Sequence, residues 1–108
     1  MYQYKAAVLK VVDGDTLHLE VELGFDVKRR DSFRLAGLNA PEMSTVEGVA
    51  AKEWLEAQLS HGVLIITTHK DSREKFGRYL ATLWIDQKNV NTAMIEAGMA
   101  VPYDGGAR

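Results

Sequence analysis

Within the stretch "DTLHLEVEL", polar and apolar residues alternate without a break over positions 16–23. Every second residue is apolar from Leu17 to Leu23, which predicts a strand with one face buried. The preceding stretch "YKAAVLKVV" is rich in apolar and β-branched residues and predicts another strand. Asp13-Gly14 lies between the two and is typical of a tight hairpin turn.

A third strand is predicted over roughly 29–38, and a helix follows it. Ser44 and Glu47 have the spacing of a capping box at a helix start. Apolar residues then recur at helical spacing at Ala51, Leu55 and Leu59, and His61-Gly62 is expected to end the helix.

The rest of the chain contains two more strands and a short helix. "VLIITTH" and "RYLATLWI" predict the strands, and "KDSREKFG" predicts the charged loop between them. "NVNTAMIEAG" predicts the helix, with an Asn near its start and Gly98 after its last apolar residue. The tail "VPYDGGAR" is expected to be loose.

This order predicts one domain over 1–108, mainly β with helices. Three strands, a helix, two strands and a short helix fit a five-stranded Greek-key barrel of the OB-fold type, with one main helix and a short second one. A ferredoxin-like split βαβ unit is the alternative, but it needs a different order of elements.

Composition limits how such a domain could meet a partner. The net charge is −2, so a broad basic face for nucleic acid is not expected, and any phosphate would need a few placed cations or a metal. Cysteine is absent, which excludes a disulfide framework and a thiolate metal site. No apolar run is long enough for a membrane span, and the first residues do not resemble a secretory signal. We expect a cytoplasmic monomer with no membrane partner.

Four features at strand ends or turns could carry chemistry: "DGDT" at 13–16, Arg34, "NAPE" at 39–42 and "FGR" at 76–78. Oxygen ligands such as Asp15 and Glu42 suit Ca²⁺ or Mg²⁺, and the guanidinium groups of Arg34 and Arg78 match phosphate oxygens. A metal, two guanidinium groups and a carboxylate base are what phosphodiester hydrolysis needs. Each feature alone also has an ordinary structural explanation as a turn, an edge residue or a hairpin loop.

Taken in order, four stretches resemble the motifs of the staphylococcal nuclease (thermonuclease-like) family. They are "VVDGDTLHL", "FRLAGLNAPE", "KFGRYLATLW" and "VNTAMIEAGMAVPY", and the resemblance runs from about Lys5 to about Tyr103. It implies an OB-fold barrel that cuts DNA and RNA phosphodiester bonds with Ca²⁺; Mg²⁺ or Mn²⁺ are the alternative ions. Single-stranded DNA or RNA is the expected partner.

The resemblance also implies roles for particular residues. Asp15 stands where the family has a metal ligand. Arg34 and Arg78 stand where the family has arginines that bind the scissile phosphate, the second of which also assists the leaving group. Glu42 stands where the family has the general base that acts on water.

Three positions depart from the family pattern. Asn39 stands where a second Asp ligand is usual, and so supplies no negative charge to a metal. Ala40 replaces the commoner Thr, which should be tolerated because this residue contributes its backbone carbonyl to the metal. Phe76 stands where the staphylococcal enzyme has a Tyr whose hydroxyl touches phosphate.

Contacts with the rest of a nucleic acid are expected from Lys75, Tyr79 and Tyr103, since a cation can meet the phosphate backbone and an aromatic ring can stack on a base. Two alternatives to a nuclease stay open on the same barrel: a catalytically silent nucleic-acid-binding domain and a protein-interaction module. Asp15, Arg34, Glu42 and Arg78 together favour the nuclease, because a binding module has no need of Glu42.

Overall fold

The computed structural model describes residues 3–69 and 79–103, which form a small barrel with two helices. In chain order the elements are β1 (Gln3–Asp13), β2 (Thr16–Gly24), β3 (Val27–Leu35), β4 (Leu38–Asn39), α1 (Val46–Leu59), β5 (Leu64–His69), β6 (Tyr79–Ile85), β7 (Lys88–Asn89), α2 (Val90–Glu96) and β8 (Val101–Pro102).

Five long strands close on one another. The sheet runs β3-β2-β1-β5-β6, with the short β7 beyond β6, and β3 also pairs with β6. That last pairing is parallel and joins Phe33, Arg34 and Leu35 to residues 79–81, whereas the other pairings are antiparallel. The prediction of a five-stranded OB-type barrel with a main helix and a short second helix is confirmed.

Alternation on β2 separates the core from the outer surface. Leu17, Leu19 and Val21 are buried inside the barrel, and the residues between them face outward. Leu23 was expected on the buried face, but 44% of it is exposed. In the strand register, Val21 is the last residue of β2 that pairs with β1, so within the described residues Leu23 lies past the paired part of these two strands.

Helix α1 begins one residue later than the capping box predicts. Its N-cap is Thr45, whose hydroxyl accepts the Gly48 N–H at 3.0 Å, so the assignment to Ser44 was wrong. The helix ends at Leu59 with Ser60 as C-cap, just before the predicted His61-Gly62 stop. Its predicted apolar positions are buried against the barrel.

The C-terminal part of the described chain is held in place rather than loose. Val101 and Pro102 pair with Asn39 and Leu38, and the Tyr103 N–H donates to the Gly37 carbonyl at 2.9 Å. The expectation of a loose tail was therefore wrong for 101–103, because this segment covers the edge of the chain just after β3. Of the helices in the described ranges, neither has the length and apolarity needed to cross a bilayer.

Candidate active site

A groove of about 600 Å³ opens beside the β1–β2 turn. It is enclosed by that turn, by the segment between β4 and α1, and by the chain that follows α2. Its lining residues are Asp13, Asp15, Asn39, Ala40, Pro41, Glu42, Gly98, Met99, Ala100 and Val101. Three of the four stretches that resemble the nuclease family therefore meet at this groove: "VVDGDTLHL", "FRLAGLNAPE" and "VNTAMIEAGMAVPY".

Asp15 is fixed in the groove from several sides. Its Oδ2 accepts the Ala40 N–H at 3.0 Å, and its Oδ1 accepts the Thr16 hydroxyl at 3.2 Å. Its own N–H donates to Asp13 Oδ1 at 3.0 Å, which confirms the structural role expected of Asp13 in this turn. Gly14 allows the turn to lie this close, because a Cβ there would be 2.6 Å from the Cβ of Ala40.

The fold shifts the pKa values of the two carboxyl groups of the turn in opposite directions. Burial, together with a hydrogen bond to Asp15, raises the pKa of Asp13. Burial also pushes the pKa of Asp15 upward, but hydrogen bonds with Asp13 and the Ala40 N–H and the charge of Arg34 outweigh it, so its net pKa is lowered. The fold thus favours the ionised form of Asp15, the carboxylate that faces Arg34.

Arg34 lies on the outer side of β3 with only 13% of its side chain exposed. Its Nη1 is 3.2 Å from Asp15 Oδ2, and its Nη2 donates to the Leu38 carbonyl at 3.2 Å and to Asn39 Oδ1. Its Cζ lies 5.6 Å from the ring centroid of Tyr103. A positive charge is therefore tolerated within the strand because a carboxylate, two oxygen dipoles and an aromatic ring surround it.

Glu42 is exposed in the segment between β4 and α1, on a turn that is hydrogen-bonded to the start of α1. Its backbone carbonyl accepts both the N–H of Thr45, at 3.0 Å, and the Thr45 hydroxyl, at 2.6 Å. Gly48 passes directly beneath, where a Cβ would lie 1.8 Å from the Glu42 carbonyl oxygen. A glycine inside a helix is unfavourable by itself, so this close approach explains its presence.

Asn91 links α2 to β6 and to the chain after Arg34, and the sequence analysis did not identify it. Its amide group donates to the carbonyls of Ala36, at 2.9 Å, and Ala81, at 3.1 Å, while its Oδ1 accepts the Leu83 N–H at 3.0 Å. These bonds join α2 to β6 and to the chain just after Arg34. The available signal was an amide directly after the first apolar residue of a short helix.

The remaining predicted residues are placed differently. Arg34 lies over the ring of Tyr103, and the nucleic-acid contact expected of Tyr103 stays a prediction. Tyr79 packs at the barrel end instead: its ring is 6.0 Å from that of Phe33 and is approached by Arg29 at 5.5 Å. Tyr79 is not among the groove-lining residues, so its base-stacking role stays a prediction. Lys75, Phe76 and Arg78 lie outside the described residues.

The oxygen groups of the groove fit a hard divalent cation of the Ca²⁺ or Mg²⁺ type in kind, though with little charge. Asp15 and Asn39 both present oxygens, and Ala40 lies between them. Within residues 3–69 and 79–103, no three Asp, Glu, His or Cys side chains cluster as a metal site. Of Asp15, Asn39 and Ala40, only Asp15 has a carboxylate, and its Oδ2 is shared with Arg34.

Comparison with known proteins agrees with this arrangement. Residues 32–107 match the family described as staphylococcal nuclease homologue. The chain is 31% identical over 96 residues to an uncharacterized endonuclease of Haemophilus influenzae, which covers 89% of this chain and 51% of that protein. It is 28% identical over 110 residues to protein ParB of Escherichia coli, covering 94% and 58%.

A thermonuclease of Staphylococcus hyicus is also similar, with 24% identity over 101 residues, covering 86% of this chain and 56% of the thermonuclease. The chain thus spans only about half to three fifths of the length of the curated relatives it matches.

Proposed function

We propose that this chain, which belongs to the family of staphylococcal nuclease homologues, hydrolyses phosphodiester bonds of single-stranded DNA or RNA in the groove beside Asp15. The observation that carries the proposal is that Asp15, Arg34 and Asn39 contact one another while Glu42 lines the same groove. Arg34 thus lies against Asp15, a residue of the groove that Glu42 also lines.

Arg34 would hold the phosphate. Its guanidinium group presents several N–H donors in one plane, and part of that plane is fixed by Asp15 and the Leu38 carbonyl. Charge that develops on the phosphoryl oxygens would meet a cation that needs little reorganisation, which is how a preorganised site accelerates such a reaction. Arg78 is proposed as the second cation on the basis of the resemblance alone.

Glu42 would accept the proton from the attacking water. It is exposed to the groove, and its turn is anchored by two hydrogen bonds from Thr45, so its backbone is well placed while its side chain can reach solvent. General-base catalysis of this kind typically contributes about 10²–10⁴-fold in rate.

Asp15, Asn39 and the carbonyl of Ala40 would hold the divalent cation, with Ca²⁺ expected and Mg²⁺ or Mn²⁺ as alternatives. When bound, that ion would neutralise phosphate charge and lower the pKa of a coordinated water. Because Asp15 supplies most of the negative charge, substrate phosphate would have to complete the ion's surroundings, so metal and substrate should bind cooperatively.

The test is cleavage of fluorescent single-stranded DNA and RNA in Ca²⁺, Mg²⁺, Mn²⁺ or EDTA. We expect cleavage that EDTA abolishes and that Glu42→Gln lowers by about 100-fold or more. Glu53→Gln, at an exposed position on α1, removes the same charge and should leave the rate unchanged. Absence of cleavage with every ion would contradict the proposal.

A catalytically silent nucleic-acid-binding domain is the second candidate. One observation favours it: Asn39 lacks the charge of a second carboxylate, and its amide oxygen accepts a hydrogen bond from Arg34. Oligonucleotide binding without cleavage, unaffected by Glu42→Gln, would select this alternative.

A further inference from the structure

The outer face of β3 carries a row of side chains that can donate hydrogen bonds to phosphate, and this row extends away from the groove. Alternate residues of a strand share a face, so Lys28, Arg30, Ser32 and Arg34 lie on one side of β3. Burial supports this assignment at the end of the strand, because Phe33 and Leu35 are buried while Ser32 and Arg34 are half-buried. We call these four residues the β3 donor row.

Contacts with β2 confirm that the first two members share a face. Glu20 lies opposite Arg30 in the strand register, and its Oε2 accepts from Arg30 Nε at 2.8 Å. Its Oε1 lies 3.7 Å from Lys28 Nζ. One carboxylate therefore contacts two cations, with Glu22 opposite Lys28 as the next acidic neighbour.

The donor row has the spacing of a nucleic-acid backbone. Residues two apart on a strand are separated by about 6.6 Å, and the row from Lys28 to Arg34 spans about 20 Å. This repeat is of the same order as the distance between phosphates in an extended single strand. Lys, Arg and Ser side chains are also among the groups that most often contact phosphate oxygens.

We infer that the β3 donor row binds the sugar-phosphate backbone of the substrate strand next to the phosphate held at Arg34. The inference rests on the proposed function for the identity of the strand. It adds a binding surface for several phosphates outside the groove, along the outer face of β3.

The ion pairs with Glu20 do not oppose this role. The side chains of Lys28 and Arg30 are 56% and 73% exposed, and exposed pairs contribute little to stability because solvent and salt screen them. Exchanging one shared carboxylate for phosphate oxygens therefore costs little. Glu20 would then weaken nucleic-acid binding by competing for the two cations. Removing the cations should therefore lower the affinity for the strand, whereas removing the charge of Glu20 should raise it.

The experiment measures binding of labelled oligothymidylates by fluorescence anisotropy, in Glu42→Gln protein with Ca²⁺. One oligonucleotide is long enough to follow the whole row, and a dinucleotide reaches Arg34 alone. The double variant Lys28→Ala/Arg30→Ala should weaken binding of the long strand on the order of tenfold and leave the dinucleotide unchanged. The salt dependence of long-strand binding should become shallower by about 1.4, since each phosphate contact to a single strand contributes about 0.7.

Two further proteins separate a specific surface from general charge. Lys52→Ala/Lys88→Ala removes the same charge from α1 and β7 and should bind the long strand like the parent. Glu20→Gln frees both cations and should tighten long-strand binding, an increase that a purely structural ion pair would not produce. Thermal unfolding of each variant verifies that the barrel is intact.

The inference is overturned if the Lys28/Arg30 variant binds the long strand as tightly as the parent, or if both double variants weaken it equally. Displacement of the strand by a polyglutamate peptide at equal charge concentration would also overturn it and would indicate an acidic protein partner. The inference and the proposed function can fail separately. If the Lys28→Ala/Arg30→Ala variant cleaves normally and binds the long strand like the parent, the proposed function stands and the inference fails. If binding depends on the β3 donor row but no ion supports cleavage, the inference stands and the proposed function fails.

Discussion

Arg34 and Asp15 form an ion pair within the candidate site, with Nη1 3.2 Å from Oδ2 and side chains only 13% and 16% exposed. The pair joins β3 to the β1–β2 turn. The same carboxylate oxygen also accepts the Ala40 N–H. The guanidinium group is therefore fixed by oxygens that the proposed divalent cation would also use, so in the proposed mechanism phosphate binding and metal binding would be coupled.

Replacing Arg34 should abolish most activity. Arg34→Lys keeps a positive charge but cannot bond Asp15, the Leu38 carbonyl and a phosphate with one planar group, so both Arg34→Lys and Arg34→Ala should cut the cleavage rate on the order of 100-fold. The alanine variant should also lose about 2 kcal/mol of unfolding free energy, because hydrogen bonds to a charged group are lost. Steady-state kinetics and urea unfolding measure the two effects, with Lys88→Ala as the control. A wild-type rate in folded Arg34→Ala would place the site elsewhere.

Asn39→Asp should tighten Ca²⁺ binding. The substitution keeps the shape of the side chain and adds a negative charge beside Asp15, and Ca²⁺ affinity rises with the number of charged ligands. Calorimetry without substrate should show a lower dissociation constant, and half-maximal cleavage should need less Ca²⁺. Asp31→Asn changes charge elsewhere on β3 and should have little effect. Unchanged Ca²⁺ affinity in a folded Asn39→Asp protein would show that residue 39 does not face the ion.

Asp15→Asn should destabilise the protein at neutral pH but not in acid, when measured in EDTA. The fold lowers the pKa of Asp15 below its ordinary value of 3.8, so it favours the ionised form. The stabilisation is present above the ordinary pKa and is lost as the pH falls through the lowered one. Urea unfolding of both proteins from neutral pH down to about pH 3 should show their difference shrinking. A difference that stayed constant with pH would show that charge is not its cause.

Gly48→Ala should disturb Glu42 without touching any side chain of the groove. A Cβ at position 48 would lie 1.8 Å from the Glu42 carbonyl oxygen, so the turn or the helix must shift. We expect lower stability together with a reduced cleavage rate, and a smaller loss of oligonucleotide affinity because Arg34 is unaffected. Val49→Ala, at an exposed neighbouring position, is the control. Unaltered stability and activity would mean that the turn has room to move.

Asn91→Ala should destabilise the barrel more than Asn89→Ala, which removes the N-cap of the same helix. It removes three hydrogen bonds and leaves the buried Leu83 N–H without its acceptor, which costs about 1–3 kcal/mol for that group alone. Asn89→Ala removes only the bond to the Thr92 N–H and should cost about 1 kcal/mol. Chemical denaturation compares the two. Equal losses would show that Asn91 does not hold α2 against β6.

The sequence by itself determined the strands, the helices and the closed barrel. Alternation at Leu17, Leu19 and Val21 requires a half-buried strand whatever surrounds it, and the order of the elements then leaves few ways to cover their apolar faces. Four residues that line the candidate groove were also named in advance, although their roles stay predictions: Asp15, Asn39, Ala40 and Glu42. Arg78 and Lys75, outside the described residues, remain predictions.

Only the tertiary structure decided which of these groups meet and how they are held. Ala40 donates to a carboxylate 25 residues away, and Asn91 to a carbonyl 55 residues away, and no local periodicity encodes such contacts. The pairing of 101–102 with 38–39 and the exposure of Leu23 depend likewise on what lies opposite in space. Local pattern fixes which face of an element is apolar, whereas the partner of a polar group is set by chain segments that folding brings together.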